Sequence, residues 1–302
     1  MSKRTFTVFQ LDAFTQQLFA GNPAGVVLGA EHLSESEMQA LARELNTSDA
    51  AFVLPADEPD HDLRIRFFTP NREVAFVGHA SVAAHVARLA AGIGSVGKLR
   101  QKSRSGIFDI AITGTAQAPT ITIAYPAPQF NPPIDADTRS KLLDMLGIDT
   151  SALDAKCPLV VTKRSSSRLM IGLRSADQLA ALQPDFDALK RLTPHVGADA
   201  YFVFVRDARG PGTAEARLFS PVLGIDEDPV SGNAHGMLGA YLVENGMLPI
   251  TNGQAHMRGY QGASMSRPGE VNVSVDVTDG KPRRIHMSGT ARIVFRTEIT
   301  LD

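Results

Sequence analysis

At 302 residues the chain is long enough for two domains of ordinary size, each able to bury its own core. Its 43% hydrophobic and 21% charged residues are those of a globular protein and exclude disorder or a fibrous class. With 30 basic against 32 acidic residues, the net charge of −2 offers no electrostatic footprint for nucleic acid or an anionic membrane, so a small molecule is the expected partner. The lone Cys157 excludes an internal disulfide and cannot build a thiolate metal site. The opening residues 1–14 alternate polar and apolar side chains without the continuous apolar run of a secretory signal, which points to the cytoplasm.

In chain order, the short segments Thr5–Leu11, Val26–Leu28, Ala51–Leu54 and Leu63–Phe68 are rich in Phe, Val and Ile and partly alternating, the pattern of half-buried strands. Between them, Ser34 followed by Glu37 has capping-box spacing, and Met38, Leu41 and Leu45 recur at helical spacing, so a surface helix runs to Leu45. A second helix is predicted from about His79 to Ala91, with Val82, Val86 and Leu89 on one face and Gly92 as its stop. Its remaining positions are mostly Ala, so it belongs inside a sheet rather than upon one. The apolar stretch 82–93 is interrupted by His85 and Arg88 and falls short of the about 20 residues that cross a bilayer. Strands at Phe108–Ile110 and Thr120–Ala124 lead to the Pro-rich stretch Tyr125–Pro133, which reads as an interdomain linker.

The same order then returns. A strand at Leu169–Leu173, a helix at Ala176–Leu192, strands at Tyr201–Val205 and Ala214–Phe219, and a small-residue helix from Asn233 to Glu244 with Gly246 as its stop repeat the first half. Asp49-Ala50-Ala51-Phe52-Val53-Leu54 matches Asp199-Ala200-Tyr201-Phe202-Val203-Phe204, and Arg66-Phe67-Phe68-Thr69-Pro70 matches Arg217-Leu218-Phe219-Ser220-Pro221. Ala40-Leu41 and Ala188-Leu189, then Gly78 and Gly232, correspond as well, all at an offset of about 150 residues, which argues for an internal duplication. Two such units would form two lobes related by a pseudo-twofold axis, with the two Gly-opened helices pointing their N-termini into a shared cleft. Unpaired N–H groups at such ends hold carboxylates and oxyanions.

The polar residues at those helix starts are therefore the candidates: Gly78, His79 and Ser81 in the first half, and Asp226, Glu227, Asp228, Ser231, Gly232, Asn233 and His235 in the second, with Asp49 at the head of a strand. A carboxylate facing an imidazole or a second acid is what proton abstraction and return require, and no cofactor is needed for it.

Here the motifs become specific. Asp12-Ala13-Phe14-Thr15 with Gly21-Asn22-Pro23-Ala24-Gly25-Val26 and Asn46-Thr47-Ser48-Asp49 resembles the opening of the phenazine biosynthesis PhzF-like isomerase family. Arg66–Pro70 with Glu73-Val74-Ala75-Phe76-Val77-Gly78-His79-Ala80-Ser81, and Glu227-Asp228-Pro229-Val230-Ser231-Gly232-Asn233-Ala234-His235, resemble its other two signatures, so the resemblance spans the whole chain.

It implies a diaminopimelate epimerase-like α+β fold: two pseudo-symmetric lobes, residues 1–128 and 129–302, each a mainly antiparallel curved sheet around a central helix, with the final strand returning to the first lobe. It also implies a cofactor-independent, metal-free isomerase and a homodimer. A glutamate of that family moves the proton on a cyclic diene acid, assisted by a histidine and an aspartate. By position the glutamate becomes Asp49, one methylene shorter, and its assistants become His79 and Asp228. Substrate contacts fall to Asn22, Ser48, Gly78, Ala80, Ser81, Ser231, Gly232 and Asn233, the last replacing the usual serine. Val77 and Ser231 stand where the related epimerases carry their paired cysteines, which rules out racemisation by two thiols.

Other features carry less. Gly92-Ile93-Gly94-Ser95 lacks the context of a phosphate loop, and His79 and His85 have the wrong spacing for a helical metal pair. Arg164-Ser165-Ser166-Ser167-Arg168 reads as a flexible polar turn, and Cys157 as a packed residue. The sequence thus predicts an isomerase of small unsaturated cyclic or amino-acid-like carboxylates. The alternative is a non-catalytic metabolite-binding protein that keeps the site.

Overall fold

The computed structural model describes residues 3–301. The chain runs β1 (Arg4–Ala13), β2 (Asn22–Leu28), α1 (Glu35–Leu45), β3 (Asp49–Pro55), β4 (Leu63–Phe68), β5 (Glu73–Val74), α2 (Gly78–Ala90), β6 (Gly97–Ser103), β7 (Gly106–Gly114) and β8 (Pro119–Pro126). It continues with β9 (Gln129–Pro133), α3 (Ala136–Leu146), β10 (Val160–Lys163), β11 (Ser167–Gly172), α4 (Ala176–Ala181), α5 (Phe186–Val196), β12 (Ala200–Arg206), β13 (Thr213–Ser220), β14 (Ile225–Asp228) and α6 (Gly232–Glu244). The last strands are β15 (Ile250–Thr251), β16 (Gln254–Gln261), β17 (Gly269–Thr278), β18 (Lys281–Gly289) and β19 (Ala291–Leu301). Two compact units result: one holds the chain up to Tyr125 together with the segment from Ser288 onward, the other Pro126–Met287.

In the first unit the strands pair in the order β19, β1, β2, β3, β4, β6, β7, β8. The β2–β3 and β4–β6 pairs are parallel, each joined through a helix as a parallel connection requires, and β5 folds back on β4. In the second unit β9, β10, β11, β12, β13, β16 and β17 pair in the same sense, with β11–β12 and β13–β16 parallel and β14 folded back on β13. The duplicated sequence therefore yields the same mixed sheet twice. One ion pair is duplicated with it. Arg66 Nε and Nη2 lie 2.8 Å from the two Glu73 oxygens, and Arg217 Nε and Nη2 lie 2.9 and 2.8 Å from those of Glu227, so each bidentate pair locks the short hairpin that feeds the next helix.

Each sheet holds one helix that is buried on nearly every side. In α2, Gly78 through Ala87 and Leu89 are all buried, and the helix packs against β1, β2, β3 and β19 while Ser81 and His85 bond Gln101 of β6. In α6, only Asn233 and Glu244 escape burial; Met237 meets Thr162 of β10, His235 meets Phe202 of β12, and β16 and β17 close the other side. Strands that touch opposite sides of one helix must wrap around it, and small residues such as Ala83, Ala84, Gly236 and Gly239 let strands approach it closely. Both helices stop alike: Gly92 and Gly246 adopt φ of 74° and 66°, and the residue after each donates back to Arg88 O or Leu242 O.

The chain passes from the first unit to the second between Tyr125 and Pro126, inside the Pro-rich stretch, which is extended and paired: β8 runs to Pro126 and Gln129–Pro133 is a strand paired with β10. Two expectations need correcting. The helix expected at 176–192 is two helices, because Pro184 removes a donor and Asp185 caps a new start by accepting from Ala188 N at 2.9 Å. Ser167 and Arg168 are buried on β11 rather than lying in a flexible turn. The capping box at Ser34 and Glu37 forms as read, with Ser34 N donating to Glu37 Oε2 at 2.7 Å. Among the described residues no helix is long and apolar enough to cross a membrane.

The packing of α6 makes a volume test. A Cβ added at Gly259 on β16 would overlap the His235 ring, whereas the repeat position of His235 in α2 is the small Ser81. Gly259→Ala should therefore destabilise the protein by roughly 1–3 kcal/mol through overpacking, and adding His235→Ala should recover part of the loss, as read by urea denaturation.

Candidate active site

The head of β3 and the start of α2 meet in the first unit. Parallel pairing of Ala24 with Asp49 sets the end of β2 beside β3, and Thr47 clips the junction by accepting from Gly25 N at 3.1 Å and donating to Asp49 O at 2.9 Å. Asp49 is thereby held with 8% of its surface exposed, and the His79 ring, 6% exposed, lies with Nε2 3.6 Å from Asp49 Oδ2. That separation is beyond a normal hydrogen bond, so the two are neighbours rather than a closed ion pair.

A ring of bonds fixes the imidazole. Asn22 Nδ2 lies 3.3 Å from His79 Nδ1, Ser48 Oγ lies 3.3 Å from His79 Nε2, and Ser48 Oγ donates to Asn22 Oδ1 or Pro23 O, each at 3.2 Å. One assignment satisfies all of them: the Asn22 amide donates to Nδ1, so the proton sits on Nε2 and faces Ser48 and Asp49. Burial pushes His79 down to about 3, which keeps the ring neutral, and the positive end of the α2 dipole acts in the same direction. Val77 precedes the helix without a side-chain cap, so the first amides, from Gly78 onward, are the natural anion-facing group. Ala80 is fully buried, and Ser81 turns into the core to donate to Gln101 Oε1 at 2.6 Å.

The second unit carries the remaining candidates. Asp228 ends β14 opposite Leu218, and Ser231 caps α6 by accepting from Ala234 N at 3.3 Å, with Gly232 buried behind it. Asn233 donates through Nδ2 to Ser166 Oγ at 3.0 Å. Asp199, the repeat partner of Asp49, is committed to structure: it accepts from Ser167 N at 2.7 Å and from Ser167 Oγ at 2.9 Å. Beside it lies Arg168, 8% exposed, its Nη1 donating to Ser167 O at 2.8 Å. Burial lowers this guanidinium's affinity for its proton, while Asp199 and Asp228 oppose that effect.

Sequence reading missed Gln101 and Gln261, and it gave no structural task to Thr47 or Arg168; all four are buried polar residues. Gln101 lies between Arg100 and Lys102 on β6, so no local pattern marks it as a buried residue. Cys157 is buried, and burial pushes its thiol up to about 12, far from a reactive thiolate. Among the described residues no group of three or more His, Cys, Asp or Glu could hold a metal ion.

The relatives of this chain place it among the isomerases. The chain is 38% identical to the uncharacterized isomerase YddE of Escherichia coli strain K12 over 98% of both proteins, and 35% identical to an uncharacterized isomerase of Clostridium acetobutylicum over 99% of both. The chain is an isomerase of the family described as phenazine biosynthesis-like protein, whose pattern matches residues 11–297. A Bacillus anthracis PhzF-family structure superposes with a TM-score of 0.86 at 27% identity, covering 99% of this chain and 100% of that one. A hydroxyproline epimerase from Agrobacterium vitis, 11% identical and covering 99% and 93% of the two chains, shares the fold at a TM-score of 0.64.

The buried neutral histidines dictate a pH dependence. His79, His85 and His235 are pushed from an ordinary 6.5 to about 3, 4 and 4 by burial. As pH falls below 6.5 the unfolded chain takes up protons that the folded chain refuses, so stability present above pH 6.5 is lost towards pH 4. Each histidine contributes a slope of up to about 1.4 kcal/mol per pH unit. Urea denaturation from about pH 7.5 to about 5 should show the fall, and His85→Gln should remove up to one proton from the slope.

Proposed function

We propose that this isomerase works without a cofactor on a small unsaturated cyclic or amino-acid-like carboxylate, with Asp49 as the base that takes and returns the proton. The carbon–hydrogen bond breaks towards Asp49, its electron pair moves into the conjugated system that ends in the substrate carboxylate, and Asp49, whose captured proton exchanges with solvent before it is given back, delivers a proton to another carbon. The observation that carries this reading is the Asp49 carboxylate set 3.6 Å from a histidine that burial keeps neutral. A cationic histidine would hold Asp49 as an ion pair and weaken it as a base; a neutral Nε2–H orients the carboxylate and relays its proton.

In this reading Asn22 and Ser48 hold His79 in its tautomer, and the amides of Gly78 and Gly232 bind the substrate carboxylate. Asp228 takes the amino or hydroxyl group, while Ser231 and Asn233 line that side. Ala80 and Ser81 contribute backbone to the helix turn behind the carboxylate, since the Ser81 hydroxyl is spent on Gln101.

The shorter carboxylate is compatible with turnover if the substrate sits nearer β3. Misplacement by about 1 Å costs about a hundredfold in rate, which sets the scale of what Asp49→Glu could gain or lose. Solvent deuterium incorporation, followed by NMR in heavy water with a panel of cyclohexadiene carboxylates and amino acids, tests the role directly. Asp49→Asn should lower incorporation by at least about a hundredfold while leaving substrate binding within a fewfold. Undiminished incorporation removes Asp49 from the mechanism. Saturable binding by the wild-type protein without any exchange, with exchange appearing in Asp49→Glu, would mark a metabolite-binding protein that kept the site.

A further inference from the structure

The stretch that carries Asp228 into α6 hangs on one buried carboxamide. Gln261, 4% exposed at the end of β16, donates through Nε2 to Asp228 O at 2.6 Å and accepts from Ser231 N at 3.1 Å through Oε1. A carbonyl can only accept and an amide N–H can only donate, so this is the one orientation of the carboxamide that satisfies both partners. A single planar group therefore fixes both ends of Asp228-Pro229-Val230-Ser231. The residues around it hold the same stretch. Glu227 is gripped by Arg217 and accepts from Ser264 Oγ at 2.6 Å, and a Cβ on Gly262 would come within 2.8 Å of Pro229 O. Gln261 itself stands on firm ground, paired with Ala216 of β13 and Gly269 of β17.

The repeat sharpens the point. In the first unit the equivalent stretch is Val74–Val77, and there Phe76 stacks on Phe108 with centroids 4.1 Å apart and planes 11° from parallel. The position of Asp228 is occupied by Val74. The unit whose loop carries the carboxylate is thus the one whose loop is set by hydrogen bonds rather than by ring stacking.

We infer that Gln261 is a positioning residue for the isomerisation: it sets the backbone from Asp228 to Ser231, and through that backbone the Asp228 side chain and the Gly232 amide that meet the substrate. The inference rests on the substrate roles proposed for Asp228 and Gly232. It concerns the direction of those groups and not the stability of the unit.

Two variants test it. In Gln261→Met the shape is kept and both hydrogen bonds are lost, so amide hydrogen exchange at Ser231 in the ligand-free protein should accelerate at least tenfold, with Tyr201 on β12 unchanged. Deuterium incorporation into the substrate should fall about a hundredfold in kcat. In Gln261→Glu only the protonated carboxyl can donate to Asp228 O, so the ratio of variant to wild-type activity should fall as pH rises. Unchanged exchange at Ser231, or a ratio that is flat with pH, overturns the inference. Should Gln261→Met fail to fold, Gln261→Glu carries the exchange measurement too, at pH values on either side of its titration. If the wild-type protein turns over no substrate, the proposed function fails; the Ser231 exchange then decides alone whether Gln261 sets this backbone.

Discussion

Burying a whole helix inside a sheet is the constraint from which the rest follows. A helix against a flat sheet needs one apolar stripe, whereas α2 and α6 are enclosed almost all round and must be thin and apolar everywhere. Small residues are spaced through both, and where one helix carries bulk the facing strand gives way. His235 lies over Gly259, while Ser81, at the same place in the repeat, bonds the larger Gln101. Close packing makes these choices pairwise rather than independent.

The same enclosure shapes the chemistry. A helix wrapped on its sides is open only at its ends, and of the two it is the N-terminal amides that suit an anion. The residues nearest that end inherit a dry setting: His79 is kept neutral by burial, and its tautomer is dictated by Asn22 and Ser48. An exposed histidine at this place would be half-charged near neutral pH and free to rotate. Burial removes both freedoms at the cost of acid stability, which is why the group proposed to assist catalysis also titrates against the fold.

Duplication gave the two units equal frames and unequal contents. The Arg66–Glu73 and Arg217–Glu227 pairs are superposable in role and geometry, as are the helix stops at Gly92 and Gly246. Around these fixed points the polar residues have diverged. Asp49 lies beside an imidazole, but its counterpart Asp199 is tied into Ser167, and Asp228 stands where the first unit has a valine. Asp199 is held in place by two short bonds from Ser167 on the neighbouring strand β11, a structural task that its counterpart Asp49 does not share with it.

What the sequence determined by itself was local or repetitive. Small-residue composition marked α2 and α6 as enclosed, Ser34 and Glu37 marked a helix start, and the constant offset between Asp49 and Asp199 or Arg66 and Arg217 marked the duplication. The signature motifs named Asp49, His79 and Asp228, and the family follows from them. Only the tertiary structure decided which polar side chains close on one another. The neighbours of His79 lie 57, 31 and 30 residues away in the chain, and Gln261 meets Asp228 across 33 residues. No local periodicity encodes such pairs, because they are made by strand register and not by the sequence next to either partner. The strand pairing β1 to β19, the break at Pro184 and the burial of Arg168 are of the same kind: each is fixed by what the sheet brings alongside.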